Sequence, residues 1–241
     1  MVINGNSDYT LIMSHLKLFC RWILLMVLTS ACAHQRSYVG ETVAPINLET
    51  VNCVKLVIAN DWPSLERNIS YCKDYQNIEG ISPLMMSAYK NQMEIFEKLI
   101  AAGSNVALKD KSGSDTLFYA VNFHRVEMVK RLRASGAAIK MNDFNVNALW
   151  VALQKSKFEL VQALNPTADE VNLTGEDGWT AIYFAIRREE TEIFDLIIKA
   201  GANPNTKDSE GVSPYNFAKD EVKWSYARRK LASITASQFK K

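Results

Sequence analysis

Glycines recur in this chain at a fixed interval, and that interval restricts the fold more than any other feature. Gly80 and Gly113 stand 33 positions apart, as do Gly103 and Gly136, and Gly178 and Gly211. Gly113 and Gly178 are 65 positions apart, one step of 32 and one of 33, with Asn145 at the skipped place. Asn is the residue that best replaces Gly at positive φ. Apolar positions keep the same register. Leu84, Leu117, Leu149, Ile182 and Tyr215 align, followed by the small residues Ser87, Ala120, Ala152, Ala185 and Ala218. Ile95, Met128, Leu160 and Ile193 mark a second segment, with Leu99, Leu132, Leu164 and Ile197 one helical turn on. Such spacing puts an apolar stripe on one face of a helix. A period of this length marks stacked units that cannot bury their apolar faces alone. The expected fold is therefore an all-α repeat solenoid of helix pairs joined by hairpin loops.

Local chemistry agrees with the period. Ser82, Thr180 and Ser213 are placed to cap the first helix of their repeats by accepting from free N–H groups. Pro83 and Pro214 then fall in the first helical turn, where a missing N–H costs nothing. Gly103, Gly136 and Gly201 suit the left-handed residue that ends a second helix. The segments Gly80-Ile-Ser-Pro-Leu84, Gly178-Trp-Thr-Ala-Ile182 and Gly211-Val-Ser-Pro-Tyr215 resemble the Gly-x-Thr-Pro-Leu core of ankyrin repeats, as do Ala102-Gly-Ser-Asn105 and Ala200-Gly-Ala-Asn203. The resemblance covers roughly residues 77–219 and implies about five ankyrin repeats plus an N-terminal helical cap. The repeat at 142–174 lacks Gly and Pro at the usual places, so any distortion is expected there. Helices are expected over Val51 to Asn60 and Pro63 to Ile69 as the first cap. A more polar last repeat, with Lys223, Arg228, Arg229 and Lys230, closes the array.

The first 32 residues differ in kind. Lys17 and Arg21 precede the apolar run Trp22 to Leu28, and small residues lead to Cys32. A basic start, a short apolar core and a small-residue exit describe a secretory signal peptide. Met13 opens a more conventional signal than Met1, because Asp8 and its polar neighbours are foreign to one. Leu28-Thr-Ser-Ala-Cys32 resembles the bacterial lipobox, which implies lipidation at Cys32, although Thr29 stands where Leu is usual. Ala33 after the Cys implies the outer membrane. The expected organisation is a leader over 1–32, a tether over 33–48, the repeat domain over 49–235 and a tail over 236–241. Cys53 and Cys72 remain in the exported part. They form either a disulfide, which export permits, or two small buried hydrophobes.

Catalytic constellations are thin. Of His15, His34 and His124, the first two fall in the leader and just beyond it, and His124 falls at a turn between helices. No Gly-rich phosphate loop appears, because the glycines come one per turn. A formal net charge of +2 with no dense Lys/Arg run argues against nucleic acid. We therefore expect no enzyme, no cofactor, no metal, no nucleic acid and no small-molecule substrate.

Ankyrin arrays bind proteins through hairpin tips and the exposed side of the first helices. Carried over by register, this places Tyr89, Lys111, Phe123, Phe144, Asp177, Trp179, Arg187 and Arg188 on the partner-binding face, with Ser112, Ser114 and Asn122 beside them. Trp179 with Arg187 and Arg188 forms the expected hot spot, since Trp, Tyr and Arg dominate interface energies. The competing reading for Trp179 is that it covers a neighbouring hairpin. Trp150, Phe118 and Tyr183 share another repeat position and read as packing. Size and layout resemble periplasmic ankyrin lipoproteins that serve as immunity proteins against type VI secretion phospholipase effectors. That resemblance implies an outer-membrane-anchored protein whose partner is a secreted lipase. The alternative is a periplasmic scaffold for an envelope or oxidative-stress protein. An ankyrin effector sent to a host cell is disfavoured by Cys32.

Overall fold

The computed structural model describes residues 51–219 and 224–238. The expected leader, Cys32 and the tether lie outside the described residues. All regular structure among the described residues is helical. The cap comprises α1 (Cys53–Ile58), α2 (Trp62–Arg67) and α3 (Ile69–Cys72). Asn52 and Asp61 cap α1 and α2 by accepting from Lys55 N–H and Ser64 N–H. The segment expected as one helix from Pro63 is two, because Asn68 leaves helical geometry at ψ 19° and turns its amide back onto the Ser64 carbonyl. Cys53 and Cys72 are joined by a disulfide and fully buried, with Val54, Val57 and Leu65 packed around them.

Five helix pairs follow. They are α4 (Pro83–Lys90) with α5 (Met93–Ala101), α6 (Thr116–Asn122) with α7 (Val126–Ala134), and α8 (Ala148–Gln154) with α9 (Phe158–Leu164). After the short α10 (Ala168–Val171) come α11 (Ala181–Arg188) with α12 (Thr191–Lys199), and α13 (Pro214–Phe217) with α14 (Ser225–Gln238). The core runs as one row through all of them. Leu84, Leu117, Leu149 and Ile182 are at most 1% exposed, and so are the small residues Ser87, Ala120, Ala152, Ala185 and Ala218 one turn on. A larger side chain at those five places would hold adjacent first helices apart. Tyr215, at the end of the row, is only half-buried.

The first four pairs each turn on a residue in left-handed conformation: Asn91, His124, Ser156 and Glu189, with φ between 50° and 61°. These conformations cost an L-residue about 1 kcal/mol, and least for Asn and Gly. We expect Ser156→Gly to stabilise the domain by about 0.5 kcal/mol, read as a rise in the urea midpoint; an unchanged or lowered midpoint would show that the Ser156 side chain offsets the strain.

Ser82 and Ser213 cap their helices as expected, and Asp115 and Asn147 do the same in the second and third repeats. Thr180 corrects the expectation. Its hydroxyl makes no cap bond and is buried without a partner, because the Tyr183 N–H that it would receive donates to the Thr180 carbonyl at 3.1 Å.

The third repeat departs from the others at its end. α9 stops at Leu164, and Asn165 takes φ 40° ahead of Pro166, which disfavours helical geometry in the residue before it. Thr167 and Glu170 then build a capping box that starts α10. The truncated helix leaves a groove of about 940 Å³ between α7 and α9, lined by Glu127, Lys130, Arg133, Gln162 and Asn165 among others. Arg133 reaches across to Glu170 with both guanidinium nitrogens at 2.7 Å, and Glu170 also accepts from the Ile139 and Thr167 N–H groups. Burial pushes the Glu170 carboxyl up, but the Arg133 hydrogen bonds and these N–H groups outweigh it and hold it below the usual range.

Candidate functional site

The hairpin tips are built by one device. Asn77, Asp110, Asn142 and Asp208 each accept two N–H groups two and four residues on, closing the loop around a positive-φ residue. Neighbouring tips then bond through the backbone: Lys111 N–H to Glu79 carbonyl, Asp143 to Ser112, and Ser209 to Asp177, at 2.8–3.0 Å. This close approach demands glycine. A Cβ on Gly178 would come within 2.9 Å of Asp208 Cα, and φ there is +71°. Asn145 holds the glycine-like conformation at φ 53°, as its place in the register predicts.

The fourth tip lacks the brace. Gly175 occupies the Asn/Asp place, and a Cβ there would lie 2.7 Å from the Trp150 ring. Among the described residues no backbone bond joins the tips at 142–145 and 175–178. Asn145 Nδ2 instead donates to Glu176 Oε1 at 2.7 Å. The tips are tied to the helices beneath them by two buried tyrosines. Tyr119 Oη donates to Asp110 Oδ2 at 2.9 Å, and burial together with that carboxylate raises its phenol. Tyr183 Oη lies 2.9 and 2.8 Å from the Thr206 and Val212 carbonyls, its phenol pushed up to about 12 by burial and by the Asp208 charge.

Of the expected partner-binding residues, Lys111, Phe144 and Asp177 are exposed, and Tyr89, Phe123, Trp179, Arg187 and Arg188 are half-buried. Phe144 is 59% exposed on the third tip. Tyr89 and Phe123 meet edge to face at 4.7 Å across the first two repeats. For Trp179 the structure shows the packing that the competing reading expects. Its ring packs on Tyr183, Phe184 and Phe217 at 5.2–5.6 Å, with the Arg187 guanidinium 5.2 Å above it. It is therefore a packing residue that stays partly exposed rather than a free aromatic. Ser112, Ser114 and Asn122 are buried and correct the expectation. Ser112 donates to Asp110 inside the tip, Ser114 receives the Asn142 amide, and Asn122 receives Lys155 Nζ. Phe118, Trp150 and Tyr183 are core, as read from their repeat position.

Residues missed by the sequence reading include Ile78, Asp143 and Glu176, all exposed, and Phe184 and Phe217, both half-buried. Ile78 and Asp143 stand two residues before the turn glycine or its Asn substitute, which is a signal the sequence does carry. Phe184 and Phe217 stand where the earlier repeats bury Met86, Tyr119 and Val151, so sequence register alone points inward.

His124 stands exposed on its turn. Burial first, then Lys155, Lys157 and Arg125, lower its imidazole. Among the described residues no group of three or more His, Cys, Asp or Glu is arranged to hold a metal. None of the described helices is long and apolar enough to cross a membrane.

The family model for ankyrin repeats, three copies long, matches residues 44–143 and 117–208. The chain belongs to the ankyrin-repeat family. This ankyrin-repeat chain is 31% identical over 129 residues to an ankyrin repeat-containing protein of Treponema pallidum (strain Nichols), a match covering 53% of this chain and 43% of that one. It is 33% identical over 140 residues to the human transient receptor potential cation channel subfamily A member 1, covering 56% of this chain and 12% of the channel. The chain thus spans less than half the length of these curated relatives. Among solved structures, an ankyrin repeat domain from Acinetobacter baumannii AYE aligns with a TM-score of 0.64 and 24% identity, over 75% of this chain and 96% of that one. The ankyrin repeat protein EF0377 aligns at 0.59 and 21%, over 76% and 96%. Both establish the fold. An ankyrin-repeat array of this kind is a scaffold for protein–protein interaction.

Proposed function

We propose that this protein is a periplasmic, lipid-anchored inhibitor that binds a secreted phospholipase effector of a type VI secretion system and protects the cell that makes it. The binding reading rests above all on Phe144, an aromatic ring held 59% exposed on a tip whose backbone is already fully braced. The scaffold has no use for an apolar side chain there, and water exclusion by a partner would stabilise it by roughly 1–2 kcal/mol. Export is supported by the Lys17-to-Cys32 leader pattern and by the Cys53–Cys72 bond, because disulfides persist in oxidising compartments. The mechanism is steric. The inner face covers the lipase and keeps membrane substrate from its cleft, while acyl chains on Cys32 hold the inhibitor where the toxin arrives. In this reading the ankyrin array itself performs no catalysis.

The test is affinity purification of the full chain, made with its own leader, from the producing cell, followed by mass spectrometry and fractionation. A secreted lipase in equal amounts, in the membrane fraction, is expected, and Cys32→Ser is expected to release the protein to the soluble periplasm. Recovery of envelope or redox proteins alone would replace immunity by a scaffold role. Phe144→Ala and Arg188→Ala are each expected to weaken the recovered complex about tenfold, measured by titration calorimetry. Affinities that do not change would move the binding face elsewhere.

A further inference from the structure

Towards the C-terminal end of the array, the first helices and tips carry an aromatic strip. Trp150 and Phe184 are 5.0 Å apart, Phe184 and Trp179 5.6 Å, Trp179 and Phe217 5.2 Å, and Phe217 and Trp224 5.0 Å. Trp179, Phe184 and Phe217 all keep part of their surface in water, whereas Met86, Tyr119 and Val151 at the Phe184 position of the first three repeats are buried. The open strip therefore begins at the fourth repeat.

Its tip edge is acidic. Asp143, Glu176, Asp177 and Glu210 are exposed on three consecutive tips, and among the described residues none of them forms an ion pair. On the second helices of their pairs, by contrast, Glu94, Glu97, Glu127 and Asp195 are each paired with a Lys or Arg. At the other end of α11, Arg187 and Arg188 in the last turn are followed directly by Glu189 and Glu190, so that edge carries both signs. An apolar strip with carboxylates along one border and mixed charge along the other is electrostatically asymmetric across its width.

We propose that this strip receives a basic segment of the partner protein, whose apolar side chains cover Trp179, Phe184 and Phe217 while its Lys and Arg side chains reach the tip carboxylates. The inference rests on the reading that this face binds protein, and it names the chemistry of what binds. The aromatic rings give the segment an apolar area to bury, while Arg187 already sits over the Trp179 ring, so the segment's cations are directed to the tip carboxylates instead. The four carboxylates steer it by charge and draw its cationic side towards the tips.

The probe is a displayed library of short random peptides, selected on the intact protein and sequenced. Peptides rich in Lys and Arg with at least one apolar residue are expected. Their binding should fall about tenfold with the pair Asp177→Lys and Glu210→Lys, and should weaken as salt rises. Asp143→Lys on another tip repeats the test, and circular dichroism with a urea midpoint confirms that each variant is folded. Enrichment of acidic or uncharged peptides, enrichment of none, or undiminished binding by the folded charge-reversed variants would each overturn the proposal. If the cellular partner binds these variants as tightly as the parent, protein binding stands and the basic-segment inference fails. If basic peptides are selected but no partner is recovered from the cell, the inference stands and the immunity reading fails.

Discussion

Glu170→Ala is expected to destabilise the domain by about 3–5 kcal/mol. The Glu170 and Arg133 side chains are 11% and 16% exposed, so each is removed from most of its water. Glu170 offsets that cost for Arg133 through two hydrogen bonds, and Arg133 adds bonds to the Ala137 and Asn165 carbonyls. Truncating the acid leaves the guanidinium buried without its counter-ion, and also frees the Ile139 and Thr167 N–H groups. The double substitution Arg133→Leu with Glu170→Leu should recover much of the loss, because it removes both charges at once. Urea unfolding of the four proteins closes the double-mutant cycle. A single-variant loss under about 1 kcal/mol would mean that water screens the pair as it does a surface bridge.

The same carboxyl sets an acid limit. Its folded pKa lies below its unfolded value of about 4.3. The stability it supplies is fully present above that unfolded value and is lost as pH falls through the lower folded value. The parent should therefore lose more stability below about pH 4 than Glu170→Gln does. Parallel slopes for the two proteins would assign the acid sensitivity to other carboxylates.

Removal of the disulfide is the second large effect. Cys53 and Cys72 are 19 residues apart, and both are fully buried beneath the first repeat. Closing a loop of about 20 residues restricts the unfolded chain by roughly 3 kcal/mol. Reduction with dithiothreitol, or Cys53→Ala with Cys72→Ala, should lower stability by that amount. Each repeat touches only its neighbours, so the loss should be local. Amides of α1 to α3 should exchange much faster while those of α11 and α12 keep their protection. Uniform loss of protection along the array would show a fully cooperative unit. An unmoved transition would show that the cap packs as well without the bond.

The period of 32 and 33, the row of small residues and the left-handed glycines are local chemistry repeated in register, and they sufficed for the stacked helix pairs, the turn at His124 and the positive φ at Asn145. What failed from sequence was whatever depends on which atom reaches a donor first or which ring fills a gap. Thr180 is a sound cap residue whose partner N–H goes to its own carbonyl. Ser112, Ser114 and Asn122 occupy surface register positions, yet they turn inward to brace tips and a lysine. The end of the third repeat was legible only as a departure from pattern. That Arg133 and Glu170 hold it together, 37 residues apart in the chain, follows from helix placement in space. The same holds for which side chains of the tips and first helices stay exposed. An ankyrin array with tips at known positions was legible along the chain, because backbone conformation and apolar period are properties of neighbouring residues. That Trp179 is half committed to packing, that Phe144 is not, and that partly open aromatics run beside an acidic tip edge emerges only in three dimensions, because exposure is set by side chains from different repeats competing for the same space.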